Sequence, residues 1–122
     1  MARILVVDDD EQVRTMLRRT LEREGYEVEE AADGQAALDA HRRQAADLLI
    51  VDIVMPEKEG LETIFELRRD DPEVKVIAIS GGGHLAPQGY LDTAARFGAQ
   101  RTFAKPVDRD ELLEAIRQLL QS

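Results

Sequence analysis

The adjacent pair Asp8 and Asp9 lies far along the chain from Asp52, Ser80 and Lys105, yet each follows closely on a short apolar run. Ile4–Val7 leads into Asp8, Asp9 and Asp10, Leu48–Val51 into Asp52, Val76–Ile79 into Ser80, and Thr102–Ala104 into Lys105-Pro106. Three carboxylates, a hydroxyl and an ammonium can together hold a divalent cation and a phosphoryl group. Crowded carboxylates repel one another unless a cation neutralises them. Mg²⁺ prefers oxygen ligands and combines one or two carboxylates with waters and phosphate oxygens. A carboxylate such as Asp52 can attack phosphorus and carry an acyl phosphate. Ser80 can donate to a phosphoryl oxygen, and Lys105 supplies a point charge that needs no fixed geometry. Pro106 allows a cis bond that would turn the lysine inward.

These residues meet only if the runs are parallel strands, whose C-terminal ends share one sheet edge. The pattern supports that arrangement, because strand-like and helix-like segments alternate five times. Arg3–Val7 reads as a strand buried on both faces. Val13, Leu17 and Leu21 follow at helical spacing, and Gly25 is the stop. Glu27–Ala31 gives a second strand, whose glutamates place it away from the centre. Asp33 caps an alanine-rich helix from Gly34 to Arg43, and Leu48–Asp52 is the third strand. A helix from Gly60 to Arg69 ends at Asp71-Pro72, and Val74–Ser80 is the fourth strand. The glycine-rich stretch Gly81–Gly89 precedes a helix over Tyr90–Phe97 that Gly98 ends. Arg101–Ala104 is the fifth strand, and Asp108 caps a last helix bearing Leu112, Leu113, Ile116, Leu119 and Leu120. Right-handed helical crossovers between parallel strands imply an α/β three-layer sandwich. The expectation is a single domain over residues 1–122.

Composition narrows the function. With 122 residues, 43% hydrophobic and 34% charged, the chain suits one soluble globular domain. It has no cysteine, which excludes disulfides, zinc–thiolate sites and thiol catalysis. No apolar run is long enough to cross a bilayer or to serve as a signal-peptide core, so a cytoplasmic location is expected. The net charge of −9 disfavours a nucleic-acid partner. Arg14, Arg18 and Arg19 share one helix, but interspersed acids make that face read as solvated and mixed in charge. His41 reads as a bland residue on a polar helix face.

The run Val6-Val7-Asp8-Asp9-Asp10, the stretch Asp52-Ile53-Val54-Met55-Pro56 with Gly60, Ile79-Ser80-Gly81 and Phe103-Ala104-Lys105-Pro106 resemble the receiver domains of bacterial two-component response regulators. The resemblance covers nearly the whole chain. It implies a flavodoxin-like sheet of strand order 2-1-3-4-5; a chemotaxis receiver is a known example of that order. It further implies that Asp52 is the phosphoacceptor for a histidine kinase or phosphotransfer protein. Asp9, Asp52 and the backbone carbonyl of Val54 would bind Mg²⁺ directly, with Asp8 acting through water. Ser80 and Lys105 would contact the phosphoryl oxygens. Ser80 and Phe103 would form the switch, altering the face made by the fourth and fifth helices and fifth strand toward a downstream protein, or toward a second copy on phosphorylation.

Three features depart from the family pattern. Glu59 precedes Gly60 where aspartate is common. Phe103 replaces a frequent tyrosine, so the switch rests on ring packing alone. The Gly81–Gly89 loop looks long and holds His84, read as a loop histidine rather than a ligand. Val54 and Gly82 offer no group to position water beside the acyl phosphate, so slow self-dephosphorylation is expected.

Two rival readings remain on the sequence. One is a small haloacid-dehalogenase-like phosphatase, with Asp8 as nucleophile and Asp10 as general acid. The other is an interaction module of receiver fold that is never phosphorylated. The first leaves Asp52-Met55-Pro56 unexplained, and the second leaves a full acceptor, acid and lysine set without use.

Overall fold

The computed structural model describes residues 1–53, 59–80 and 87–121, with the backbone alone at residues 59 and 87–91. Five strands alternate with five helices: β1 Arg3–Val7, α1 Glu11–Arg23, β2 Glu27–Ala31, α2 Gly34–Arg43, β3 Leu48–Asp52, α3 Glu59–Asp70, β4 Val76–Ser80, α4 Pro87–Phe97, β5 Arg101–Ala104 and α5 Arg109–Gln121. All strand pairings are parallel, in the order β2-β1-β3-β4-β5. This is the flavodoxin-like arrangement, in which the order reverses beside β1 and β3.

Side chains alternate across a strand, so each strand serves two cores. Leu5, Val7, Leu49, Val51, Val76 and Ala78 pack on one face with Leu38, Ile64 and Ala94 of α2, α3 and α4. Ile4, Val6, Leu48, Ile50, Ile77 and Ile79 pack on the other with Leu17 and Leu21 of α1 and Leu112 and Ile116 of α5. The central strands β3 and β4 are buried along their full length. The edge strand β2 is only partly so, as its glutamates led us to expect.

Helix starts follow side-chain acceptors for orphan amides. The Asp10 carboxylate accepts the Gln12 amide at 2.9 Å, Asp33 accepts that of Ala36 at 2.8 Å, and Asp108 accepts that of Glu111 at 3.0 Å. At the end of α1, Gly25 adopts φ +90°, a left-handed conformation that glycine takes without strain.

Three expectations are corrected. The fourth helix begins at Pro87 rather than Tyr90, so the last part of the glycine-rich stretch is helical; proline suits a first helical position, where no amide bond is lost. The fourth strand begins at Val76, because the Val74 amide closes a turn on the Asp71 carbonyl at 3.0 Å. His41 lies not on a polar face but at 8% exposure. Its Nδ1 accepts the Ala46 amide at 3.0 Å, so the ring proton sits on Nε2 and is donated to Asp71 at 3.0 Å. His41 therefore ties α2 to the turn after α3.

Candidate phosphoryl and cation site

The sheet brings the predicted acids to one end. Asp52 closes β3 in register with Ile79, and Ser80 closes β4 in register with Ala104. Lys105 follows β5, its amide donating to the Ser80 carbonyl at 2.9 Å, and the Lys105-Pro106 bond is cis. Asp8 continues from β1, its amide donating to the Ala31 carbonyl of β2 at 3.1 Å. Carboxylate oxygens of Asp8, Asp9 and Asp52 all lie within 4.8 Å of one another. Asp8 and Asp52 are 3% and 6% exposed, whereas Asp9 is open to solvent.

Lys105 Nζ lies 3.3 Å from Asp8 Oδ2 and 3.3 Å from Asp52 Oδ2. One cation thus answers two buried anions. Burial alone would lower the Lys105 ammonium, but the charges of Asp52 and Asp8 and their hydrogen bonds outweigh it, and the net shift is upward. Burial pushes the Asp8 carboxyl up, and the charge of Asp52 adds to this. The Asp10 amide on Asp8 Oδ1, at 2.8 Å, and the Lys105 charge oppose it without cancelling it. Three acids against one ammonium leave negative charge that a further cation would neutralise.

Ser80 is fully buried, and its Oγ is the one buried side-chain polar atom without a hydrogen-bond partner among the described residues. An orphan hydroxyl beside crowded acids fits a site that receives an oxygen-rich group. Clustered carboxylates, a lysine and a free donor together suit Mg²⁺ and a phosphoryl group.

The chain matches the response regulator receiver domain over residues 4–117. It belongs to that family. The receiver is 32% identical over 118 residues to sporulation initiation phosphotransferase F of Bacillus subtilis, covering 97% of this chain and 93% of the relative. It is 38% identical over 120 residues to response regulator MprA of Mycobacterium leprae, covering 98% of this chain but only 51% of MprA. Among solved structures, the response regulator TrrA of Thermotoga maritima, crystallised in complex with Mg²⁺-BeF, has a TM-score of 0.85 and 35% identity. That match covers 98% of this chain and 99% of TrrA. The receiver is therefore a signalling module of two-component and phosphorelay type.

The phosphatase alternative is not favoured. Its general acid would be Asp10, which is exposed and occupied as the cap of α1. Phe103 is half-buried against the core beneath α1 and α5. The Val54 carbonyl, Gly82, His84 and Met55-Pro56 lie outside the described residues. Among the described residues, no helix is long and apolar enough to cross a membrane.

Two contacts escaped the sequence reading. Arg14 is not on a solvated face: its Nη1 donates to the Asp8 carbonyl at 2.7 Å and its Nε to Glu30 at 3.1 Å. Arg18 Nη1 grips the other Glu30 oxygen at 2.6 Å. The Arg18 hydrogen bond holds the Glu30 carboxyl below its ordinary value against the opposing effect of burial, and Arg14 assists. The available signal was two arginines one helical turn apart, followed by a glutamate in the neighbouring strand. The second contact is at Gly60, where a Cβ would lie 2.5 Å from the Ile53 Cα and 2.6 Å from the Asp52 carbonyl. Only glycine lets α3 approach the strand end that carries Asp52.

Proposed function

We propose that this receiver takes a phosphoryl group from a phosphohistidine of a kinase or phosphotransfer protein onto Asp52. The observation that supports this is the convergence of Asp8, Asp9 and Asp52 within 4.8 Å, with Lys105 bridging two of them. An Asp52 carboxylate oxygen attacks phosphorus, the phosphorus–nitrogen bond breaks, and the imidazole leaves with the electron pair. The product is an acyl phosphate. Asp9 and Asp52, the Val54 carbonyl and Asp8 through water are the groups that would hold Mg²⁺. When bound, the cation draws charge from the phosphoryl oxygens and lowers the cost of bringing a dianion to three acids.

Lys105 exchanges contact with Asp8 and Asp52 for contact with a phosphoryl oxygen, and Ser80 donates its unpartnered hydroxyl to another. Drawing Ser80 inward makes room for Phe103, which repacks the face of α4, β5 and α5 where a downstream protein or a second copy docks. This is a population shift between two packings. Phosphoryl loss is slow, because Val54 and Gly82 offer no side chain to orient water. The domain over residues 1–122 acts as one unit in this scheme.

The test is intact-mass analysis after incubation with acetyl phosphate and Mg²⁺. A single phosphoryl adduct should form on wild type, map to Asp52, and vanish in Asp52→Asn or on chelation. An adduct that persists in Asp52→Asn at the wild-type rate, or that maps to Asp8, overturns the assignment.

A further inference from the structure

Arg14 belongs to none of the groups that would touch a phosphoryl group or a cation, yet its side chain ties the acidic turn to β2. Its side chain is only 15% exposed. Nη1 reaches the Asp8 carbonyl at 2.7 Å while Nε holds Glu30 Oε1 at 3.1 Å, so one planar fork spans β2 and the turn after β1. Its own amide donates to the Asp10 carbonyl at 3.1 Å. Glu30 is fixed in turn, because β2 pairs it with Val6 and Arg18 holds its second oxygen at 2.6 Å. The turn from Asp8 to Asp10 is thus braced from outside the site by a buttress that starts in the neighbouring strand. Inside the site, the Asp10 amide fixes Asp8 Oδ1 and leaves Oδ2 to Lys105.

We infer that Arg14 is a positioning residue for the cation, holding the Asp8–Asp10 turn so that the carboxylates of Asp8 and Asp9 keep the geometry Mg²⁺ requires. The inference rests on the functional reading above. Mg²⁺ tolerates little departure from octahedral geometry, so it penalises a loose ligand turn. Groups that orient ligands typically contribute about 10–100-fold in metal affinity. Lysine cannot replace arginine here, because a single ammonium does not reproduce a rigid fork that serves two acceptors at fixed spacing.

Charge and geometry make opposite demands, which makes the test decisive. A guanidinium near a cation site repels the cation, so if its charge mattered most, Arg14→Met would bind Mg²⁺ more tightly. If bracing matters most, Arg14→Met and Arg14→Lys both bind it more weakly. The experiment titrates Mg²⁺ into wild type, Arg14→Met and Arg14→Lys by calorimetry, with the amide resonances of Asp8–Asp10 as a second readout and the full amide spectrum as the check on folding. The expected result is a loss of roughly tenfold or more in Mg²⁺ affinity for both variants. Acetyl phosphate labelling should slow at low Mg²⁺ and recover at saturating Mg²⁺.

Unchanged or tighter Mg²⁺ binding in either folded variant overturns the inference, even if thermal stability falls, because a merely structural role would move stability alone. Should Arg14→Met not fold, Arg14→Lys carries the same reading by itself. Absence of Mg²⁺ binding by wild type would instead sink the functional reading, and this inference with it.

Discussion

Ser80 keeps a hydroxyl out of water with no partner among the described residues. Burying such a group unsatisfied costs about 1–3 kcal/mol. Ser80→Ala is therefore expected to raise the stability of the unphosphorylated protein by roughly 1 kcal/mol in urea unfolding, while weakening retention of the phosphoryl group. A less stable variant would show that the hydroxyl is already satisfied. Glu30 gives the opposite case, a polar group held by two arginines. Its carboxyl is lowered in the folded state, so its contribution is fully present above the ordinary value and is lost as pH falls through the lowered one. Because the side chain is partly exposed, that contribution is no more than about 1 kcal/mol. The stability gap between wild type and Glu30→Gln should be widest at neutral pH and close on acidification; a gap that widens in acid would contradict the ion-pair account.

At the scale of elements, Gly60 decides how closely α3 meets the end of β3. A methyl group there would collide with backbone at Ile53 and Asp52, and neither atom can swing aside as a flexible side chain would. Gly60→Ala is expected to cost about 1–3 kcal/mol, as overpacking does, and to reduce labelling of Asp52 beyond the loss of folded protein. Labelling per folded molecule at the wild-type rate would show that β3 absorbs the collision. The sequence disclosed Gly60 only as part of a motif; the reason for it required two elements in contact. The same division separates what was legible from what was not. The bounds of β1, β2, β3 and β5 were readable, because each strand is a short run flanked by polar or turn-forming residues. The convergence of Asp8, Asp9 and Asp52 was readable because strand ends carry them. The start of α4 was hidden by glycines that obscure helical period, and Val74 looked like strand because buried turns can also be apolar. Arg14 and His41 were misread as surface residues, since the partners that bury them, Glu30 and Asp71, sit on other elements.

For the whole molecule, the sheet divides the interior into two apolar compartments, one under α2, α3 and α4 and one under α1 and α5. Ile116 is fully buried in the second, and Ile116→Ala is expected to cost about 2–5 kcal/mol, depending on how far the space collapses. A layer of hydrogen-bonded backbone lies between that space and Ile64 or Leu38 on the other side. Larger side chains that restore the variant should therefore come from α1, α5 and the strand residues facing them; a suppressor at Ile64 or Leu38 would count against the division. The partition also limits how the sequence can drift. Damage to one half of the interior has to be mended from within that half, so the two halves can accumulate changes on separate histories while the ten elements keep their places.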